Sequence, residues 1–133
     1  MLTQTEVINR WNDIHLFDEP LIEVEDNPFS TYDAQSSQYI VEIKSRDKLY
    51  DSWIIEKYKF DINFEDSVRT GRDFLYITEY RRKLMVWNLN DLVAVDYCFN
   101  WHKRWLPKTT DFENKEKVLK EVGYLLTSYA RGY

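Results

Sequence analysis

The stretch Tyr32-Asp33-Ala34-Gln35-Ser36-Ser37-Gln38-Tyr39-Ile40-Val41-Glu42-Ile43-Lys44-Ser45 decides how the rest of the chain is read. Residues 38–45 are rich in β-branched and aromatic side chains. The polar Gln35-Ser36-Ser37 separates them from the β-rich run Phe29 to Ala34, a spacing that predicts two adjacent antiparallel strands joined by a hairpin. Side chains alternate across a strand, so Glu42 and Lys44 share one face. Taken alone, Glu-x-Lys is also an ordinary same-face ion pair worth about 0 to 1 kcal/mol on an exposed sheet. The apolar Tyr39-Ile40-Val41 and Ile43 around it point instead to a covered central strand, where charges without partners are expensive.

Outward from this hairpin the chain alternates between helical and strand patterns. On the N-terminal side, Val7, Ile8 and Trp11 predict a helix over Thr5 to Asn12 with Thr3 or Thr5 as its cap. Leu21 to Asp26, bracketed by Pro20 and Pro28, reads as a loop or a short edge strand. On the C-terminal side, Trp53, Ile54, Ile55 and Tyr58 give Tyr50 to Phe60 one apolar face, predicting a helix capped by Asp51 or Ser52. Phe74 to Tyr80 and Leu84 to Leu89 form a second hairpin around the basic Arg81-Arg82-Lys83. Asp91 to Tyr97 is short and apolar, and Asn100 to Asp111 is aromatic and basic around Pro107. Val118, Leu119, Val122, Leu125 and Leu126 predict a C-terminal helix over Asn114 to Ala130. The expected order is α-β-β-α-β-β-α, an α/β (α+β) domain in which a mixed sheet of four or more strands lies between helices. No internal repeat is present.

At 133 residues the chain suffices for a single domain spanning 1–133. Its 44% hydrophobic and 31% charged residues exclude a disordered or membrane-embedded class. One cysteine, Cys98, allows no internal disulfide and no multi-cysteine zinc site, and the N-terminus carries no export signal. A reducing compartment, the cytoplasm, is the expected location, with no membrane partner. The net charge of −5 hides a gradient: residues 1–42 carry −8, residues 43–100 balance, and residues 101–133 carry +3. Such a skew suits a cation on one side and a phosphate backbone on the other, and it is equally compatible with a solvated surface that has no partner.

The hairpin returns Glu42 beside Asp33, so both carboxylates can hold one hard cation. A lysine next to them has a specific use. In phosphodiester hydrolysis a divalent cation acidifies a bound water and neutralises charge growing on the phosphate. The ammonium group orients or deprotonates that water and offsets the repulsion between the two acids.

Asp33 followed by Glu42-Ile43-Lys44 in an apolar strand, with a helix before and a helix after, resembles the PD-(D/E)XK nuclease superfamily of restriction-endonuclease-like fold. The similarity is greatest to its small phage or prokaryotic members and spans roughly Thr5 to Leu89. The resemblance implies a Mg²⁺-dependent endo- or exodeoxyribonuclease, with Mn²⁺ as a substitute. Asp33 and Glu42 would be metal ligands, the Ile43 carbonyl a third, and Lys44 the catalytic lysine. It further implies an acid on the first helix, here Glu6, and polar residues on the helix after the lysine, here Glu56 and Lys59. Tyr32 stands where the family motif has proline.

DNA is the expected partner, contacted by Arg81, Arg82, Lys83, Lys103, Arg104 and Lys108. A homodimer would match the two-fold relation of two cut strands; a phage-encoded protein would act in the host cytoplasm. Trp101-His102-Lys103-Arg104-Trp105 mixes bases with aromatics, as strand-stacking surfaces do, although its Trp rings read first as core. His15 and His102 have no zinc-ligand spacing, and no serine-hydrolase or glycine-rich phosphate motif is present. The alternative is a non-catalytic nucleic-acid- or protein-binding module on the same fold.

Overall fold

The computed structural model describes residues 1–25, 30–108 and 116–133. Helix α1, Gln4–Ile14, starts at Thr3 through a reciprocal capping box in which Thr3 Oγ1 accepts from the Glu6 N–H and the Glu6 carboxylate accepts from the Thr3 N–H. Val7, Ile8 and Trp11 form its buried face. It packs on one side of a six-stranded sheet built from β1 (Ile22–Glu23), β2 (Ala34–Gln35), β3 (Tyr39–Ser45), β5 (Asp73–Tyr80), β6 (Lys83–Asn88) and β9 (Arg131–Gly132), in the order β1-β2-β3-β5-β6-β9. Within this sheet β3 and β5 are parallel over seven residue pairs, and the other pairings are antiparallel.

A parallel pair needs a long crossover. Here the crossover consists of β4 (Ser52–Glu56) and helix α2 (Lys57–Thr70), which ends at Gly71 in the left-handed conformation with φ 68°. Strand β4 leaves the main sheet and pairs with β8 (Lys117–Leu126), which pairs in turn with β7 (His102–Pro107), forming a second sheet of order β4-β8-β7. Helix α3, Leu89–Ala94, follows β6. Strand β3 is therefore covered on both faces. Val41 and Ile43 join the α1 cluster with Leu75 and Ile77, while Ile40 joins Phe60, Phe74, Trp87 and Leu125 on the side of α2 and the second sheet.

The expected mixed α+β architecture with a sheet between helices holds, and three elements differ from the sequence reading. Tyr50 to Phe60 is not a helix from Asp51 or Ser52: Ser52–Glu56 is strand, and the helix begins at Lys57. The paired β-branched Ile54-Ile55 and the alternate burial of Trp53 and Ile55, satisfied by five pairs with β8, outweigh the helical spacing. Asn114 to Ala130 is not a C-terminal helix: Lys117–Leu126 is the central strand of the second sheet, bonded on both edges. Val118, Lys120, Val122 and Tyr124 alternate as well as the apolar residues step helically, and Gly123 would cost a helix interior about 1 kcal/mol. In the first hairpin the strand expected up to Ala34 is only Ala34–Gln35 among the described residues, and the turn shifts by one residue to Ser36 through Gln38. The order α-β-β-α-β-β-α thus gains the second sheet and the short edge strands. The expectations for Asp26 to Phe29 and for residues 109–115 lie outside the described residues. Among the described residues no helix is long and apolar enough to cross a membrane.

Candidate active site

Glu42 and Lys44 project from the face of β3 that looks toward α2 and the second sheet, the face that also carries Ile40. Glu42 is only 4% exposed. Its Oε1 lies 3.3 Å from Lys44 Nζ and 3.7 Å from Lys59 Nζ in the first turn of α2. Asp33 precedes β2 directly; its N–H donates to the Val41 carbonyl, and its Oδ2 accepts from the Ile43 N–H at 2.8 Å. The β2–β3 register ends at Ala34–Val41, and Asp33, whose N–H also reaches Val41, lies just beyond it, near enough for its charge to act on Glu42.

Burial pushes the Glu42 carboxyl above its ordinary range, the neighbouring Asp33 charge adds to this, and Lys44 and Lys59 oppose it. Burial likewise raises Asp33, against the Ile43 hydrogen bond and the two lysines. Two acids that resist ionising together form a pair on which a cation would relieve both desolvation and repulsion.

Glu56 closes the group from the end of β4. Its Oε2 lies 3.9 Å from Lys59 Nζ, and its Oε1 accepts from Lys120 of β8 at 2.5 Å. Burial alone would raise Glu56, but the Lys120 hydrogen bond and the surrounding lysines outweigh it and hold the carboxyl below its usual range. Lys44, Glu42, Lys59, Glu56 and Lys120 therefore form one alternating chain of charges from the main sheet to the second.

This chain lines a cleft of about 570 Å³ between the two sheets, walled by Phe74 and Tyr76 on one side and Ile54 and Leu106 on the other. Its charged lining is Lys44, Arg46, Lys59, Lys108 and Lys120 against Glu42 and Glu56, a local excess of positive charge in an acidic protein. Asp33 opens on a separate hollow of about 470 Å³ with Glu23, Glu25 and Tyr32.

The sequence-derived candidates divide accordingly. Asp33, Glu42, Lys44, Glu56, Lys59 and Lys108 gather around the two hollows, with Glu56 ending a strand rather than lying within a helix. The structure does not bring Glu6 to this group, since its carboxylate caps α1. Arg81, Arg82 and Lys83 occupy the exposed β5–β6 hairpin end. Arg104 pairs in register with Lys120, and Lys103 with Glu121, so these two basic neighbours project from opposite faces of the second sheet, and Lys103, expected among the DNA contacts, lies on the face away from the cleft and leaves that set. Lys120 and Arg46 escaped the sequence reading. The alternation Val118-Lys120-Val122 carried the signal for Lys120, hidden by the helical spacing of the same segment.

Over 96% of its length the chain superposes on 89% of the 1.6 Å structure of *Archaeoglobus fulgidus* Hjc, a Holliday junction resolvase from an archaeal hyperthermophile, with a TM-score of 0.53 and 12% identity. The fold is restriction-endonuclease-like. Neither a protein-family model nor a curated protein sequence matches the chain. Within this fold the acid–lysine group sits on β3 at the mouth of the inter-sheet cleft.

Proposed function

We propose that the protein is a divalent-cation-dependent nuclease that hydrolyses phosphodiester bonds of DNA. The observation that carries this reading is the buried Glu42 carboxyl, within reach of the Asp33 charge and held by Lys44 and Lys59 in a positively charged cleft. Among the described residues no three His, Cys, Asp or Glu side chains gather as a cation-binding group. Two carboxylates and a main-chain carbonyl are instead the donor set that suits Mg²⁺, which is commonly bound through one or two carboxylates and keeps several waters.

Asp33, Glu42 and the Ile43 carbonyl would hold Mg²⁺, or Mn²⁺ in its place. When bound, the ion supplies an acidified water and charge neutralisation at the phosphate. Lys44 orients that water and stabilises the charge developing on the phosphoryl oxygens. Lys59, 3.7 Å from Glu42 and 3.9 Å from Glu56, offsets the repulsion between the two acids and lines the cleft. Arg46, Lys108 and Lys120 draw the anionic backbone against the walls. The structural likeness to a junction resolvase agrees with a DNA substrate, and two copies of the chain would present two such sites.

The test is digestion of DNA by the purified protein with Mg²⁺ or Mn²⁺. Glu42→Ala and Lys44→Ala are expected to abolish cleavage, and cleavage that survives both changes overturns the mechanism. The two ammonium groups on a single Glu42 oxygen favour a second reading, a binding module whose acid is neutralised internally. Titration calorimetry with Mn²⁺ separates the two: the nuclease takes up the ion with heat lost in Asp33→Asn, and the binding module does not take it up.

A further inference from the structure

The second sheet carries a polar strip that the cleft alone does not use. In the antiparallel register His102 opposes Val122 and Arg104 opposes Lys120, while Ile54 and Glu56 of β4 oppose Tyr124 and Val122. Directly opposed residues share a face. His102, Arg104, Lys120 and Tyr124 therefore lie on the face that also supplies Ile54 and Glu56 to the cleft. The strip is organised rather than merely charged. Arg104 Nη1 donates to the Tyr124 hydroxyl at 3.2 Å, and that hydroxyl lies 3.4 Å from His102 Nε2. The Asn100 carbonyl, 2.8 Å from His102 Nδ1, can only accept, so Nδ1 carries a proton and the imidazole ring is fixed in place.

The charge balance of this face is one-sided. Among the described strand residues that share it, Glu56 is the one acid, and it is engaged by Lys59 and Lys120. No described carboxylate pairs with Arg104. An exposed guanidinium oriented by a tyrosine, with a fixed imidazole beside it and no counter-charge among the described residues, offers planar donors to phosphoryl oxygens. It also continues the run of cations Lys44, Lys59 and Lys120 away from the acids of the cleft. In a protein of net charge −5 such a local run is what overcomes long-range repulsion of a polyanion.

We propose that this face of β7 and β8, centred on Arg104, Tyr124 and His102, binds the sugar-phosphate backbone of the DNA strand that flanks the bond in the cleft. The proposal rests on the nuclease reading for the identity of its ligand. Lys103 is the internal control, because it is the adjacent residue with the same charge and it projects from the opposite face.

The experiment is fluorescence anisotropy of a labelled DNA oligonucleotide, single-stranded and annealed, titrated with the full chain in EDTA at several salt concentrations. Circular dichroism checks that each variant is folded. Arg104→Ala should weaken binding roughly tenfold and flatten the dependence of log affinity on log salt by about 0.7 to 0.9. Tyr124→Phe should produce a smaller loss in the same direction, and Lys103→Ala should leave both quantities near wild type. Equal losses in Arg104→Ala and Lys103→Ala, or none in Arg104→Ala, overturn the assignment. Cleavage of DNA with Mg²⁺ by a protein whose binding ignores Arg104 sinks this proposal and spares the nuclease. Arg104-dependent binding without cleavage does the reverse, and absence of both binding and cleavage removes both.

Discussion

Glu56 at the end of β4 accepts a 2.5 Å hydrogen bond from Lys120 on the neighbouring strand β8, a diagonal cross-strand pair between residues 64 positions apart. The pair ties the cleft's second wall to the start of α2, where Lys59 bridges back to Glu42. Because the native Glu56 pKa lies below its ordinary 4.5, the unfolded chain binds protons more readily as pH falls. The stability this pair contributes is therefore fully present above about pH 4.5 and is lost as pH drops through the native value. With both side chains about a quarter exposed, a double-mutant cycle of Glu56→Gln and Lys120→Met in urea should give a coupling near 1 kcal/mol at pH 7. The coupling should shrink as pH falls through the native Glu56 value; a pH-independent value would show that the contact is not ionic.

Glu42 has the opposite sign. Burial and Asp33 raise its native pKa above 4.5, so between that value and the raised one the native state holds more protons than the unfolded chain. Stability falls as pH rises through this window, and above it the ionised Glu42 is a net cost despite its two lysines. Glu42→Gln is expected to raise the urea midpoint at pH values above this window, with the gain gone below pH 4.5. The same variant should no longer bind Mn²⁺.

What could be read from the sequence follows from how locally each feature is specified. The first helix, for which Thr3 was one of two cap candidates, the covered strand Tyr39 to Ile43 and the hairpin around Arg81 rest on neighbours a few residues apart, and each appears within a residue or two of where the sequence puts it. Asp33, Glu42 and Lys44 were legible for the same reason, since alternation and one hairpin set their relation. The second sheet was not. Strands β4 and β8 lie about 70 positions apart, and the apolar residues of each fit a helical period as well as an alternating one. Only their mutual pairing, through Trp53–Leu125 and Ile55–Gly123, decides for strand. Missing that pairing also hid Lys120, the cation that completes the cleft.

Gly123 lies where this pairing is tightest. A Cβ there would meet the Phe99 carbonyl oxygen at 2.8 Å and the Trp101 ring at 2.8 and 2.9 Å. Neither yields easily, because one is backbone and the other is an indole stacked on Phe99. Gly123→Ala should therefore destabilise by about 2 to 3 kcal/mol in urea denaturation, as overpacking does. A neutral outcome would mean that Trp101 can leave its stack at little cost.

Asn63 anchors the segment that delivers Asp33. It is fully buried on α2, accepts from Thr31 Oγ1 at 2.5 Å, and donates through Nδ2 to the Thr31 carbonyl at 2.9 Å. Removing the amide leaves a buried carbonyl and a hydroxyl without partners, so Asn63→Ala should cost about 2 to 3 kcal/mol. Because Thr31 stands two residues before Asp33, calorimetry with Mn²⁺ should also show weaker uptake at a temperature where the variant remains folded. Unchanged uptake would mean that the Ile43 N–H holds Asp33 in place without help from α2.

The β5–β6 hairpin turns through Arg81 and Arg82 at φ 48° and 67°, with Tyr80 and Lys83 paired on either side. Two positive φ values in a two-residue loop are the geometry that asparagine and glycine adopt cheaply and that arginine does not. Two exposed residues strained in this way are a cost to the fold, offset in part by the Arg82 N–H donating to the buried Glu79 carboxylate at 2.7 Å. The replacement R81N/R82G should raise stability by about 1 kcal/mol, because it relieves the strain and keeps the turn. If the arginines are retained for their charge, the same double variant binds DNA more weakly and with a flatter salt dependence while it unfolds later. Stability and affinity moving in opposite directions in one protein is the signature of a strained contact loop. A variant that is both more stable and equally tight would leave Arg81 and Arg82 with no part in holding the nucleic acid.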